Sequence, residues 1–238
     1  MRNLLLSCLL GLALPFQAMA QSLDAGVVIG NESALSIAIV PLPYEGSNAK
    51  PEFDVASVIR NNLNRSGQFR SMDVATITDK PTQGSDVSFT TWKKLKQDFL
   101  VVGKVVDAAD GNYSIEYELL DVAKQQNLLS MKMPARSKNI RRSAHQVADQ
   151  IYEKILGVRG AFDTRIAYVT ASGLGQSIEY RLMLADSDVF NPQTLVRSRE
   201  PLLSPAWSPD GKRIAYVSFQ KGSSAVYIVE LATGVGAT

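Results

Sequence analysis

The pentapeptide Arg-Ile-Ala-Tyr-Val occurs twice, at 165–169 and again at 213–217, each time followed by a hydroxyl residue, Thr170 or Ser218. An identical repeat at this distance restricts the fold more than any other feature of the chain. Repeats of about 40–50 residues mark units that bury their apolar faces against neighbouring units. Ahead of the second copy stands Trp207-Ser208-Pro209-Asp210-Gly211. In such a turn proline presets φ, aspartate accepts backbone hydrogen bonds and glycine takes the left-handed position. Short strands separated by turns of this kind predict blades of a β-propeller. A propeller closes with about 4–8 blades, and two units at most fit between Phe162 and Thr238, so the chain is expected to be the front of a longer protein.

The N-terminus reads as an export signal. Arg2 supplies the positive charge, 4–14 is an apolar run, and Ala18-Met19-Ala20 has the small-residue spacing of a cleavage site. The run is shorter than the about 20 residues that a membrane-spanning helix needs. Cleavage after Ala20 would leave a mature chain that starts at Gln21. The single cysteine, Cys8, lies inside the signal, so the exported chain has no disulfide and must be held by its core. A net charge of +2 argues against a nucleic-acid binder, which would show a basic stripe. The densest basic cluster, 136–142, is broken by Ser137, Asn139 and Ile140 and reads as the solvated start of a helix.

Two textures divide the remainder, 35–160 and 161–238, with Gly157 and Gly160 at the boundary. The first opens on an apolar strand at 35–40, stopped by Pro41 and Pro43. A helix is expected after Pro51 with Phe53, Ala56, Ile59 and Leu63 on one face and Gly67 as its stop. A strand at 69–74 and a short helix at 89–97, with Trp92 and Leu95 inward, come next. Strands at 99–107 and 112–122 flank Asp110-Gly111, a hairpin dipeptide, and a third at 128–133 completes a meander ending at Pro134. Ile140, Ala144, Val147, Ile151 and Ile155 recur at helical spacing within 139–156. The fold class is therefore α+β: a two-layer α/β sandwich with helices on a mixed sheet, followed by the first blades of a propeller. In those blades strands are expected at 165–171, 176–186, 194–197, 205–208, 213–218 and 225–231, with Thr233-Gly234 opening a turn to the next. Trp207 is expected to pack between neighbouring blades, where full burial would contribute more than about 2 kcal/mol.

No constellation carries catalysis. His145, the sole histidine, has no cysteine beside it, and its expected role is packing or exposure on a helix. Gly173-Leu174-Gly175 lies between strands, without the strand–helix context of a phosphate loop. There is no G-x-S-x-G elbow. The spacing around Asp210 suits a turn, and a calcium site would need more oxygen ligands nearby. Asn31-Glu32-Ser33, Asn64-Arg65-Ser66 and Asn112-Tyr113-Ser114 fit the glycosylation pattern, which matters only in a eukaryotic secretory pathway. No catalytic residue, cofactor or metal is expected.

Gly160-Ala161-Phe162-Asp163-Thr164-Arg165-Ile166-Ala167-Tyr168-Val169, Pro205-Ala206-Trp207-Ser208-Pro209-Asp210-Gly211-Lys212 and Ile37-Ala38-Ile39-Val40-Pro41 together resemble the TolB family of periplasmic propeller proteins. The resemblance covers essentially the whole mature chain. It implies a non-enzymatic scaffold of the Tol-Pal system that links an inner-membrane complex to the outer-membrane lipoprotein Pal, serving outer-membrane constriction at division and envelope integrity. In the family the segment just after the signal engages TolA, and the channel face of the propeller receives Pal. By position the first maps onto 23–34, with Val28, Ile29 and Gly30 as the contact residues, so that 1–20, 21–34, 35–160 and 161–238 are signal, partner-binding segment, α/β domain and incomplete propeller. The residues of 23–34 themselves suit either an extended strand that adds to a partner's sheet edge or a disordered mature terminus. The Pal surface needs a closed ring and cannot be mapped onto this chain. Nucleic acid is not an expected partner, and membranes would be reached only through partners. The alternative is the non-catalytic front part of a propeller-type serine peptidase.

Overall fold

Ile37, Ala38, Ile39 and Val40 are all fully buried, which a strand achieves only inside a sheet covered on both faces. They belong to or directly follow β1 (Leu35–Ile39), which lies between two parallel neighbours. The computed structural model describes residues 34–231. After β1 come β2 (Tyr44–Glu45), α1 (Val55–Arg65), β3 (Phe69–Ser71), α2 (Phe89–Lys94), β4 (Phe99–Asp107), β5 (Tyr113–Asp121), β6 (Gln126–Ala135) and α3 (Ile140–Leu156). These strands make one mixed sheet in the order β3-β1-β4-β5-β6, with β2 paired to β4. β3, β1 and β4 run parallel, whereas β4, β5 and β6 form an antiparallel meander.

Both long helices cover one face of this sheet. α1 begins at Val55, two residues past Phe53, the first position of the apolar pattern, because the Asp54 carboxylate accepts from the Ser57 N–H at 3.3 Å and caps the first turn. Phe53 therefore precedes the helix, although it still packs against the core. Gly67, at φ +73°, turns the chain out of α1. Ile140, Ala144, Val147 and Ile151 of α3 form the expected buried stripe, and they meet Ile115, Tyr117 and Leu119 of β5 within one core. Tyr117 donates its hydroxyl proton to Gln150 of α3, fixing helix to sheet.

The opposite face carries a smaller core. Trp92 is fully buried there with Ala38, Val40, Leu100, Val102, Leu120 and Val122. The chain from Met72 to α2 thus adds a partial layer to the expected sandwich. Leu95, expected inward, is exposed. α2 has only six residues and ends at Lys94, so the next inward position falls outside the helix. Asp73 accepts from the Ala75 N–H and starts a tight turn at Val74–Thr76, which shortens the strand expected at 69–74. The β4–β5 connection places Asp110 and Gly111 at φ +56° and +69°, in agreement with the turn dipeptide. Gly103 sits opposite Tyr117, and a Cβ there would lie 2.2 Å from the Glu116 carbonyl oxygen. Only glycine lets β4 and β5 close at that position. β6 is longer than expected and includes Pro134, which an edge strand tolerates.

Two antiparallel three-stranded sheets follow. The first is β7 (Arg165–Ser172), β8 (Glu179–Asp186) and β9 (Gln193–Ser198). The second is β10 (Leu202–Trp207), β11 (Arg213–Ser218) and β12 (Ala225–Glu230). Asp210 Oδ1 accepts from the Ser208 hydroxyl at 2.5 Å and the Lys212 N–H at 3.0 Å, and Gly211 is at φ +68°. The Ser-Pro-Asp-Gly block is thus a self-contained turn. Trp207 is half-buried, with the Arg165 guanidinium 5.6 Å from its ring centroid, so it contacts the neighbouring sheet without the full burial expected of it. Thr233-Gly234 lies outside the described residues.

Candidate functional site

The two pentapeptide copies occupy different places. The first, in β7, begins its sheet, whereas the second, in β11, is central and flanked by β10 and β12. They also bury opposite faces. From the first sheet, Ala167 and Val169 turn toward a shared core, together with their cross-strand partners Leu184 and Leu182. From the second, Ile214 and Tyr216 enter the same core. Front meets back, which is how blades stack around a propeller axis. In the second sheet the positions equivalent to Leu184 and Leu182 are Ile228, opposite Ala215, and Val226, opposite Val217. Leu184 and Leu182 are 5% and 0% exposed; Ile228 and Val226 are 63% and 71% exposed. Among the described residues, the outward face of the second sheet therefore exposes the apolar positions that the first sheet buries.

A second cluster joins α1 and α3 to the turn after β8. Arg141 of α3 pairs with Asp188, and its guanidinium carbon lies 4.0 Å from the Phe190 ring centroid. Phe190 packs edge-on against Phe53, 5.4 Å between centroids. Arg65 of α1 donates to Ser187 Oγ at 3.1 Å, and the Ser187 hydroxyl donates to the Phe162 carbonyl at 2.7 Å. Asp149 of α3 accepts from the N–H groups of Phe162 and Asp163 at 2.7 and 3.0 Å, while Arg142 pairs with Asp163 at 3.0 Å. The basic cluster at 136–142 is thus in part a set of tethers to the first propeller sheet, rather than solvated charge alone.

His145 lies at the centre, buried as a packing residue. Its Nδ1 is 2.7 Å from Asn62 Nδ2, and its Nε2 is 3.8 Å from Asp188 Oδ2. Arg65 donates to Asn62 Oδ1 at 3.1 Å, which orients the amide so that Nδ2 faces the histidine as a donor. Nδ1 therefore accepts, and the proton of the neutral ring sits on Nε2, which is buried without a hydrogen-bond partner among the described residues. Burial pushes the His145 pKa below the ordinary histidine value; Asp188 pulls the other way and Arg141 adds to the push. Burial also raises the Asp186 carboxyl. Atoms of His145, Asp186 and Asp188 lie within 4.8 Å of one another. As hydrogen-bonded here, the ring presents an N–H to them rather than a lone pair, and Arg141 already neutralises Asp188. Neither Asp186 nor Asp188 stands out in the sequence, since two acids in a turn carry no periodic signal.

Val28, Ile29 and Gly30 lie outside the described residues. The end of their segment is fixed, however: the Leu35 N–H donates to the Gln68 carbonyl at 3.0 Å and the Ser36 N–H to Asp98 Oδ2 at 2.8 Å. Gly173 and Gly175 border a tight turn between β7 and β8, as their context predicts.

Comparison with known proteins matches both parts of the chain. The model of the TolB amino-terminal domain matches 24–128, and that of the TolB beta propeller domain matches 152–238. The Tol-Pal system protein TolB of Xanthomonas euvesicatoria pv. vesicatoria is 55% identical over 231 residues, covering 96% of this chain and 53% of the relative. The homologue in Xanthomonas oryzae pv. oryzae shows the same identity and coverage. The crystal structure of TolB from Acinetobacter baumannii superposes with a TM-score of 0.71 at 35% identity, over 84% of this chain and 48% of that one. The chain spans about half the length of the curated relatives it matches. With both its parts matched in order and more than half of its residues shared with these relatives, the chain belongs to the TolB family.

Proposed function

We propose that the chain acts as a non-enzymatic, periplasmic protein-binding scaffold of the Tol-Pal system, joining a TolA-like inner-membrane protein to Pal and so supporting outer-membrane invagination and envelope integrity. The observation that carries this reading is the 55% identity with Tol-Pal TolB proteins across nearly the whole chain. The stacked sheets agree with it, because a face-to-back arrangement with an open apolar face suits a propeller ring. No helix among the described residues is long and apolar enough to cross a membrane, and export with cleavage behind Ala20 is part of this reading. In the proposed division, 21–34 binds TolA through Val28, Ile29 and Gly30, 35–160 anchors that segment, and 161–238 begins the surface that receives Pal. The extended segment would add to a sheet edge of the partner. No observation in the described residues favours the peptidase alternative.

Deletion of 23–34 tests the assignment. TolA binding in a pull-down should be abolished while the melting temperature stays nearly unchanged, since the sheet begins only at Leu35. Binding that survives the deletion would refute the role of the segment.

A further inference from the structure

The cluster around His145 holds more than a set of tethers. It connects α1, α3 and the turn after β8 through a hydrogen-bond relay in which Nδ1 accepts from Asn62 only while the ring is neutral, and Nε2 has no hydrogen-bond partner among the described residues. Asn62 donates to Nδ1, Arg65 donates to Asn62 and to Ser187, and Nε2–H faces Asp188 and Asp186. The charged groups around the ring are Arg65 from α1, Arg141 from its own helix, and Asp186 and Asp188 from the end of β8 and its turn. Two guanidinium groups offset two carboxylates, so the site is balanced without a proton on the ring.

We propose that this joint is proton-operated: a second proton on His145, taken up at Nδ1, turns the Asn62 amide, detaches Arg65 from Ser187 and loosens the 186–190 turn from the helical layer. The geometry dictates the path. A proton on Nδ1 would face the Asn62 NH2 group 2.7 Å away, donor against donor. Relief requires Asn62 to rotate so that Oδ1 faces the ring, which points its NH2 group at Arg65, another donor. Arg65 must then move, and the same nitrogen holds Ser187 Oγ. The direction of the effect follows from linkage. Burial lowers the folded-state pKa of His145 beneath its unfolded value, so the unfolded or opened state binds the proton more readily. The closed joint is favoured at neutral pH, and this preference is lost as pH falls through about 6.5 toward the lower folded value.

Because His145 is the sole histidine, its ring can be read without ambiguity by NMR on the 238-residue chain. Long-range 1H–15N spectra should show Nε2 protonated and Nδ1 bare at pH 7.5, and the titration midpoint should lie below about 6.5. Hydrogen exchange at the Ser187 amide, which donates to the Thr164 carbonyl, should lose protection on acidification by up to about tenfold per pH unit after correction for intrinsic rates. His145→Gln should make that protection independent of pH. Asn62→Asp supplies an acceptor to a charged ring and should raise the midpoint above that of the unsubstituted chain. A ring protonated on Nδ1 at neutral pH, a midpoint at or above about 6.5, or equal loss of protection in His145→Gln would each overturn the proposal. So would ring shifts on adding zinc at constant pH, since they would show Nε2 to be a ligand rather than a donor.

Discussion

Replacing Leu182 and Ile228 by alanine, one at a time, puts the stacking of the sheets to a quantitative test. The two positions lie on the same face of the repeat, Leu182 matching Val226 and Ile228 matching Leu184, yet Leu182 is 0% exposed and Ile228 is 63% exposed. Leu182 lies in the core between the sheets, beside Leu184, Leu202, Ile214 and Tyr216. Leu182→Ala removes its transfer energy and leaves a cavity, together about 3 kcal/mol. In a domain of this size that lowers the melting temperature by about 6–12 °C. Ile228 is shielded over little more than a third of its surface, so Ile228→Ala costs about 1 kcal/mol, or about 2–4 °C. Thermal unfolding followed by circular dichroism at neutral pH, at several protein concentrations, measures both. Equal losses in the two variants would refute the reasoning, because the outward face of the second sheet would then be covered like the inner one. A loss for Ile228→Ala that grows with concentration would show that copies of the chain cover it for one another.

Two other substitutions probe separate elements. Gly103→Ala should prevent β4 and β5 from closing, since the new Cβ meets a backbone carbonyl at 2.2 Å rather than a movable side chain; the expected result is loss of dispersed amide signals for 99–121 in a heteronuclear spectrum, and a native-like spectrum would contradict it. Hydrogen bonds from Ser208 and Lys212 hold the Asp210 carboxyl below the usual carboxylate range, so it contributes stability at neutral pH that disappears as pH falls through the lowered folded value. Melting curves of the parent and Asp210→Asn should therefore differ at pH 6 and converge in strong acid, and a difference that widens on acidification would reverse the sign of the argument.

Much of the architecture was legible because it is local. The alternation in 113–119, the Asp110-Gly111 turn, the Ser-Pro-Asp-Gly turn and the apolar stripe of α3 each reflect geometry set within a few residues. Their structural counterparts appear where the pattern places them. Errors came at element ends. A six-residue helix left Leu95 outside, and the Asp54 cap moved the start of α1 past Phe53.

The chain's own sequence thus determined its repeat, its turns, its strand and helix periods and its resemblance to a family, all properties carried by neighbours along the chain. Only the tertiary structure decided which side of each repeat is buried. Identical pentapeptides turn Ala167 and Val169 inward in one sheet and Ile214 and Tyr216 inward in the next, because burial depends on which sheet lies on which side. Tertiary structure likewise decided the role of His145. An isolated histidine in a helix carries no signal, and its partners Asn62 and Asp188 stand far from it in sequence, brought within reach by the packing of α1, α3 and the turn after β8.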